Sequence, residues 1–176
     1  MTSYLITGGA RSGKSTFAET KAQALAVPTA FIATATAFDA EMSQRIANHR
    51  SIRPPSWTTV EEPLHIAQSL KSLSDFGTVI LDCLTVWLGN TMHHQWEDEQ
   101  ISEEIGNFVE ELRLRPMNTL IVTNDAGLGI VPADAMTRHY RDLLGKINSQ
   151  VAAACDHTLF FSAGRAVELL RSEHFL

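Results

Sequence analysis

Residues 8–15 read Gly8-Gly9-Ala10-Arg11-Ser12-Gly13-Lys14-Ser15, which fits the pattern G-x-x-x-x-G-K-S/T. The apolar run Tyr4–Thr7 precedes this stretch and is typical of a strand, and a helical pattern follows from Lys14 to about Leu25. Glycines allow backbone N–H groups to close around phosphate oxygens, and the start of a helix adds positive potential. The stretch therefore predicts a phosphate-binding P-loop between the first strand and the first helix.

Two side chains in this stretch carry chemistry. In a P-loop, Lys14 reaches the β- and γ-phosphates and the Ser15 hydroxyl binds Mg²⁺. The alternative is a glycine turn that only ends or begins a helix. Such a turn requires neither a lysine nor a serine at these positions, so we favour a nucleotide site.

Composition limits the classes of function that remain open. The 176 residues are about the size of one domain, so we predict a single domain over residues 1–176. A net charge of −6 argues against a general nucleic-acid binder. No signal peptide is expected, and no apolar run approaches the ~18 residues of a membrane span. The two cysteines, Cys83 and Cys155, have no metal-binding spacing, which favours a reducing cytoplasm.

Short apolar runs alternate with helical patterns along the chain. This alternation predicts an α/β fold with a mostly parallel sheet and helices on both faces. The predicted strands are Tyr4–Thr7, Thr29–Ala33, Thr78–Asp82, Thr119–Thr123 and Thr158–Ser162.

Three further helices are predicted from their apolar periodicity and end signals. One covers Asp39–Arg50, with Asp39 as its N-cap. The second predicted helix ends at Pro116, and the third predicted helix begins near Asp134. The core-facing residues of the second are Ile101, Ile105, Phe108 and Leu112, and those of the third are Met136, Tyr140, Leu143, Leu144, Ile147 and Val151.

A carboxylate ends the third predicted strand, at Asp82. In P-loop NTPases a residue in this position holds Mg²⁺ directly or through water, although an isolated Asp after a strand is also a common turn residue. Ligands of parallel sheets bind beyond the strand C-termini. We therefore expect four segments to converge there: Thr7–Ser15, Ala33–Ala37, the chain from Cys83 onward, and Asn124–Pro132.

The segment 45–54 concentrates positive charge in an otherwise acidic chain. A helix would place Glu41, Arg45 and His49 on one face, since they are four residues apart. Neighbouring arginines could hold a polyphosphate, and a neutral imidazole can attack phosphorus. Spacing alone nevertheless favours a solvated helix face for His49.

Other polar clusters are weaker candidates. The stripe formed by Arg138, Arg141, Asp142, Gly145 and Ser149 lies opposite the apolar face of the last helix, and it suggests solvent exposure or a substrate or subunit contact. The pair His93-His94 with Glu97 could suggest metal ligation, but these residues are not accompanied by a further ligand at a suitable spacing. We therefore interpret the segment as an exposed helix end rather than a metal site. Packing is the expected role of Trp57, Trp87 and Trp96.

Taken together, these motifs resemble the bifunctional adenosylcobinamide kinase / adenosylcobinamide-phosphate guanylyltransferase family of cobalamin synthesis. The resemblance covers about Leu5 to Asp156 and is most specific in His49-Arg50 and in Gly127–Pro132. The other matching segments are Thr7–Ser15, Ile32–Ala35, Asp39–Met42, Arg45-Ile46, Arg53-Pro54, Trp57, Thr59, Glu61, Leu81–Thr85, Asn124, Arg138, Arg141-Asp142, Gly145 and Asn148.

The resemblance implies two reactions on one substrate. ATP or GTP phosphorylates the hydroxyl of adenosylcobinamide, and GTP then donates GMP to that phosphate. The second reaction passes through GMP joined to a histidine, which corresponds to His49, and Mg²⁺ is held by Ser15 and Asp82. The implied nucleotide-binding residues, with Glu61 as an acceptor for guanine or ribose, are Gly8, Gly9, Ala10, Arg11, Ser12, Gly13, Lys14, Ser15, Ala33, Thr34, Ala35, Arg50, Ser51, Ile52, Arg53, Glu61 and Asp82.

The same resemblance implies a RecA-like P-loop fold and a homotrimer with sites between subunits. One departure concerns Asn124-Asp125-Ala126-Gly127, where the family commonly has Asn-Glu-Val-Gly, so the carboxylate is one methylene shorter. If this carboxylate positions the substrate hydroxyl, the kinase step is altered. Two alternatives stay open: an enzyme with kinase activity only, and a nucleotide-switched binding module.

Overall fold

The computed structural model describes residues 1–37, 39–51, 53–114 and 116–175. The side chains of Glu41, Arg45 and Phe175 lie outside this description. Two predictions therefore fall outside the described residues, namely the nucleotide contact of Ile52 and the shared face of Glu41 and Arg45 with His49.

Seven strands form one sheet in the order β3-β2-β4-β5-β1-β6-β7. All neighbouring strands are parallel except β6 and β7, which form an antiparallel hairpin. The predicted mostly parallel sheet is thus confirmed. The strands are β1 (Ser3–Gly8), β2 (Thr29–Ala33), β3 (Thr58–Glu61), β4 (Thr78–Asp82), β5 (Asn118–Val122), β6 (His157–Ser162) and β7 (Arg165–Glu168).

The described residues form six α-helices, and helices lie on both faces of the sheet, as predicted. They are α1 (Lys14–Gln23), α2 (Ala40–Ser51), α3 (Ile66–Ser72), α4 (Leu84–His93), α5 (Asp98–Leu114) and α6 (Ala135–Ala154), and a 3₁₀ helix covers Ser172–Phe175. Helix α1 packs on the face that presents Ile6, Phe31 and Ile80. Helices α3 to α6 cover the other face, where Leu5 and Ile121 are buried. Both faces of the central strands are therefore shielded from solvent by helices.

Core packing follows the predicted stripes with one exception. The four predicted residues of α5 are buried, and this helix ends at Leu114, just before Pro116. In α6, Leu143, Leu144, Ile147 and Val151 are buried and Tyr140 packs against the core. Met136 is 71% exposed, so its predicted core position is wrong. The first turn of α6 follows an exposed loop and lies beyond the end of the core, so the apolar periodicity starts one turn too early.

The helix ends and the tryptophans agree with expectation. Asp39 accepts a hydrogen bond from the Met42 N–H at 2.7 Å, and Asp134 accepts one from the Thr137 N–H at 2.7 Å. Trp87 is fully buried and donates from Nε1 to the Leu64 carbonyl at 2.7 Å. Trp57 and Trp96 are partly buried against the two sides of the core. Among the described helices, none combines the length and apolarity needed to cross a membrane.

Candidate nucleotide-binding active site

The loop between β1 and α1 is curled around the Lys14 side chain. Gly8 and Gly13 have φ angles of +136° and +101°, which only glycine adopts readily. Lys14 Nζ donates to the Gly8 carbonyl (3.1 Å), the Gly9 carbonyl (2.5 Å) and Ser12 Oγ (3.3 Å). Burial lowers the pKa of Lys14, while Cys83 and Asp82 act in the opposite direction. The predicted P-loop is therefore a closed turn with a buried ammonium at its centre.

The turn of the β6–β7 hairpin packs against the phosphate loop at Ser12 and Gly13. Its two-residue turn has Ala163 and Gly164 at φ angles of +50° and +74°, as the hairpin twist requires. The Gly164 N–H donates to the Ser12 carbonyl at 3.0 Å, and a β-carbon on Gly13 would lie 3.4 Å from Gly164 Cα. The C-terminal hairpin thus contacts the phosphate loop directly.

The end of β2 is tied to Asp82 and Cys83 at the end of β4. Thr34 is buried, its N–H donates to the Asp82 carbonyl at 3.1 Å, and its Oγ1 donates to the Cys83 carbonyl at 2.9 Å. The Cys83 N–H returns a hydrogen bond to Thr34 Oγ1 at 2.8 Å. Asn90 of α4 donates to the Thr34 carbonyl at 2.7 Å. These bonds fix the predicted Ala33–Ala35 segment beside the predicted metal ligand Asp82.

The end of β5 lies between the phosphate loop and Asp82, because β5 pairs with both β1 and β4. The Asp125 N–H donates to the Gly8 carbonyl at 3.2 Å. Thr123 donates to Asn148 Oδ1 at 2.8 Å, and Asn148 donates back to the Asn124 carbonyl at 2.9 Å. The Asn124 N–H donates to Thr85 Oγ1 at 2.8 Å. The four segments expected to meet at this edge of the sheet do meet there.

The positively charged segment lies at the end of α2 and after it. Arg50 forms an ion pair with Glu61 at 2.9 Å, although both side chains are largely exposed. The Arg53 guanidinium lies 3.7 Å from the centre of the Phe31 ring, a cation–π contact. Phe31 belongs to the sheet face that α1 covers. Arg53 is therefore on the same side of the sheet as the helix that follows the phosphate loop.

Electrostatic interactions connect this segment with the phosphate-loop side. Burial lowers the pKa of Arg53, while the charges of Asp82 and Glu19 raise it. Asp82 thus interacts with both Lys14 and Arg53. The structure places the two predicted basic groups around the carboxylate that was predicted to bind Mg²⁺.

Glu19 is a member of this cluster that the sequence analysis missed. Its Oε1 atom is buried and has no hydrogen-bond partner among the described residues. Burial raises the pKa of Glu19, and the charges of His49, Asp82 and Arg53 also act on it. The sequence feature that could have indicated Glu19 is its spacing from Ser15. A helix that starts at Lys14 places residues 15 and 19 one turn apart on the same side.

The remaining candidates lie outside this cluster. Arg138 donates to the carbonyls of Pro132 and Ala133, at 2.9 and 2.6 Å. No group of three His, Cys, Asp or Glu side chains that could hold a metal occurs among the described residues. Cys83 and Cys155 are free thiols, and burial raises the pKa of each to about 12. These thiols are therefore protonated at neutral pH.

Comparison with solved structures identifies the fold. The chain superposes on a prototypical ATPase from the type III secretion system of pathogenic bacteria with a TM-score of 0.54 and 12% identity, covering 98% of this chain and 60% of that one. It superposes on the flagellar accessory protein FlaH from Methanocaldococcus jannaschii with a TM-score of 0.52 and 12% identity, covering 96% and 77%. The predicted RecA-like P-loop NTPase fold is confirmed.

Comparison of sequences identifies the family. The chain is 40% identical to the bifunctional adenosylcobalamin biosynthesis protein CobP of Pseudomonas aeruginosa, over 94% of this chain and 95% of that protein. It is 34% identical to the bifunctional adenosylcobalamin biosynthesis protein CobU of Escherichia coli, over 94% and 98%. The family model described as cobinamide kinase / cobinamide phosphate guanyltransferase matches residues 4–169, so the match includes the β6–β7 hairpin. The chain belongs to the cobinamide kinase / cobinamide phosphate guanyltransferase family.

Proposed function

We propose that this protein phosphorylates adenosylcobinamide with ATP or GTP and then transfers GMP from GTP to the new phosphate, giving adenosylcobinamide-GDP. Membership of the family and the names of its relatives support both activities. The observation that carries the proposal is the closed phosphate loop, in which Lys14 Nζ donates to the carbonyls of Gly8 and Gly9, at the same edge of the sheet as Asp82. A site that combines a phosphate-loop lysine with a nearby carboxylate for Mg²⁺ suits phosphoryl and nucleotidyl transfer from a bound triphosphate.

In the kinase step, the substrate hydroxyl oxygen attacks the γ-phosphorus and the bond to the β-phosphate oxygen breaks. Lys14 and the loop N–H groups would hold the phosphates and offset their charge. The hydroxyl proton needs an acceptor, and Asp125 is our candidate because its backbone is bonded to Gly8. Its Oδ1 accepts from the Gly127 N–H at 2.8 Å, which orients the carboxylate.

In the guanylyl step, an imidazole nitrogen of His49 attacks the α-phosphorus of GTP, and the bond to the departing pyrophosphate breaks. The phosphate of the corrinoid then attacks the same phosphorus, and the P–N bond breaks to restore neutral His49. Two easier displacements replace one difficult displacement. The proposed nucleotide contacts are the phosphate loop Gly8–Ser15 with Ala33–Ala35, Arg50, Ser51, Ile52, Arg53, Glu61 and Asp82.

The residues present also fit Mg²⁺, which prefers oxygen ligands and keeps several waters. Ser15 supplies a hydroxyl at the start of α1, and Asp82 supplies a half-buried carboxylate whose charge acts on Lys14. When bound with nucleotide, Mg²⁺ neutralises phosphate charge and orients the chain of phosphates.

We also propose a homotrimer, as the family resemblance implies. Large apolar side chains in the β5–α6 loop and the first turn of α6 are exposed in the single chain and supply surface for a subunit contact: Leu128, Ile130, Val131 and Met136. Sedimentation equilibrium measures the oligomer directly. A cytoplasmic location stays a prediction from the cysteine content, as does the absence of nucleic-acid binding from net charge.

The decisive experiment uses GTP labelled at the α-phosphate. The protein is incubated with Mg²⁺ and this GTP, denatured and tested for bound label. We expect acid-labile, base-stable label that is absent from His49→Ala, present in the exposed-histidine control His94→Ala, and chased onto adenosylcobinamide phosphate. Nucleotide affinity should be nearly unchanged in His49→Ala.

Other outcomes point to the alternatives. Transfer of the γ-phosphate to adenosylcobinamide without any α-label on the protein would indicate a kinase-only enzyme. Absence of any corrinoid-dependent turnover, with partner binding that depends on nucleotide, would indicate a nucleotide-switched module. Full guanylyl transfer by His49→Ala would remove His49 from the mechanism.

A further inference from the structure

Asn124 follows β5 at the edge of the sheet that carries the phosphate loop, and the proposed chemistry does not use its side chain. Because β5 pairs with β1 on one side and with β4 on the other, Asn124 lies between the phosphate loop and the end of β4. Asn124 is half-buried, and its hydrogen bonds to other described residues involve only its backbone. Its side-chain amide, which can donate two hydrogen bonds, therefore has them available for a ligand.

The Gly8 carbonyl joins the phosphate loop to the chain just after Asn124. Lys14 Nζ donates to this oxygen at 3.1 Å, and the Asp125 N–H donates to it at 3.2 Å. The ammonium and the backbone nitrogen next to Asn124 thus lie within hydrogen-bond distance of the same atom. Since a P-loop lysine reaches the β- and γ-phosphates, a phosphate bound by Lys14 would lie beside Asn124.

Two backbone hydrogen bonds to β1 keep the chain extended through Asn124. The Thr123 N–H donates to the Ile6 carbonyl at 3.0 Å, and two residues further the Asp125 N–H donates to the Gly8 carbonyl. This two-residue spacing on both strands is that of a regular parallel ladder. Successive side chains of an extended segment lie on opposite faces of the sheet, so Asn124 and Thr123 lie on opposite faces.

The partner of Thr123 identifies the two faces. Thr123 Oγ1 donates to Asn148 Oδ1 of α6 at 2.8 Å, so Thr123 lies on the face that α3 to α6 cover. Asn124 consequently lies on the face of Val122, which α1 covers. Helix α1 begins with Lys14 of the phosphate loop. The side-chain amide of Asn124 and the ammonium of Lys14 are therefore on the same side of the sheet.

Two side chains from neighbouring helices hold the backbone of Asn124. Its N–H donates to Thr85 Oγ1 of α4 at 2.8 Å, and its carbonyl accepts from Asn148 Nδ2 of α6 at 2.9 Å. The backbone that carries the amide is thus fixed before any ligand binds. Preorganised donors of this kind stabilise the charge that develops during phosphoryl transfer.

We propose that the Asn124 amide donates a hydrogen bond to a γ-phosphate oxygen of the bound triphosphate. This inference rests on the proposed kinase step, in which the substrate hydroxyl oxygen attacks the γ-phosphorus and the bond to the β-phosphate oxygen breaks. Asn124 neither gives nor takes a proton, and the hydroxyl proton goes to the general base. The amide offsets charge on the transferred group together with Lys14. A diphosphate lacks this contact, so Asn124 also favours the triphosphate over the diphosphate.

The experiment measures GTP and GDP affinities by calorimetry, and single-turnover transfer from γ-labelled GTP to adenosylcobinamide. All proteins compared also carry His49→Ala, so that guanylylation cannot consume GTP. In Asn124→Ala we expect GTP to bind roughly 10-fold more weakly and transfer to slow by roughly 100-fold, with GDP affinity changed less than about twofold. Asn124→Asp keeps the shape but places an anion beside the phosphates, so GTP affinity should fall further than in Asn124→Ala.

Asn107→Ala, at an exposed position on α5, is the control and should bind GTP and GDP as the parent protein does. The same ratio of GTP to GDP affinity in Asn124→Ala and in this control overturns the proposal. Equal losses of GTP and GDP affinity also overturn it, because the amide then supports the loop or contacts another part of the nucleotide.

Two further results are distinguishable from these. If urea denaturation shows that Asn124→Ala is unfolded, the isosteric Asn124→Asp decides, and GTP binding as tight as in the control overturns the proposal. If the parent protein transfers no γ-phosphate to adenosylcobinamide, the proposed kinase step fails. The affinity ratio still tests the Asn124 contact in that case, because it requires no turnover.

Discussion

A β-carbon on Gly8 would lie only 2.9 Å from the Phe161 backbone nitrogen and would overlap the Phe161 carbonyl oxygen. Strand β6 thus passes so close to the end of β1 that only glycine fits there. Gly8 also has a φ angle of +136°, which other residues rarely adopt. The first residue of the phosphate loop is consequently fixed by its neighbouring strand as well as by any phosphate it binds.

Gly8→Ala should destabilise the protein by about 3 kcal/mol or more, since overlap with the backbone and an unfavourable φ act together. Gly9→Ala is the matched control, because a β-carbon there meets nothing within 4 Å. Its free energy of unfolding should change by less than about 1 kcal/mol. Urea denaturation measures both, and a Gly8→Ala midpoint equal to that of Gly9→Ala would contradict the close approach of β6.

Lys14→Ala should reduce kcat/KM for the triphosphate by roughly 100- to 1000-fold, as expected for the loss of a preorganised donor. The ammonium already lies at the centre of the loop, bonded to the Gly8 and Gly9 carbonyls. Lys21→Ala on the same helix removes a cation that lies over the Tyr4 ring, and it should leave kcat/KM unchanged. Steady-state kinetics with ATP and GTP provide the measurement. Unaltered kinetics in Lys14→Ala would refute the P-loop assignment.

Asp82→Asn should raise the Mg²⁺ concentration needed for half-maximal activity by about 10-fold or more, because one anionic ligand is lost. Asp75→Asn, an exposed carboxylate before β4, controls for the change in net charge. Metal titrations at fixed nucleotide concentration compare the two variants. The same Mg²⁺ dependence in both would exclude Asp82 as a ligand.

Asp156 should make the stability of the fold depend on pH under acidic conditions. The Ser3 N–H and hydroxyl donate to its carboxylate at 2.8 and 2.9 Å, and these bonds lower its pKa below the ordinary 3.8. The unfolded chain therefore binds a proton first. The stabilisation is complete above the unfolded pKa and is lost as pH falls through the lower folded value.

Urea midpoints measured between about pH 2 and pH 6 test this dependence. Asp156→Asn should flatten the acidic decline, whereas Glu103→Gln, at an exposed position on α5, should retain it. An identical decline in Asp156→Asn and in the unsubstituted protein would assign the acid sensitivity to other carboxyl groups.

The sheet was largely predictable because its central strands are continuous apolar runs. The predicted strand Thr78–Asp82 matches β4 at both ends, and Thr29–Ala33 matches β2. Strands β3 and β7 were missed because they lie at the sheet edges, where all four residues of β7 are exposed and carry no apolar pattern. Pairing with a neighbour, rather than local sequence, makes them strands.

The candidate site was predictable to the extent that motifs mark it. The phosphate loop and Asp82 have recognisable positions after strands, and the structure brings both to one edge of the sheet. Glu19 was missed because a glutamate in a helix is usually a solvated residue. Its burial depends on the packing of α1 against the sheet, so no local pattern could reveal it.

The contact between the β6–β7 hairpin and the phosphate loop has a consequence for synthesis. Ribosomes build a chain from its amino end, so the G-x-x-x-x-G-K-S sequence emerges long before the strands that support it. A nascent or C-terminally shortened chain carries the complete motif without the hydrogen bond from Gly164 to Ser12. Nucleotide binding during translation would therefore report the docking of the last two strands, and ribosome-bound chains arrested before and after residue 168 would measure when the site becomes competent.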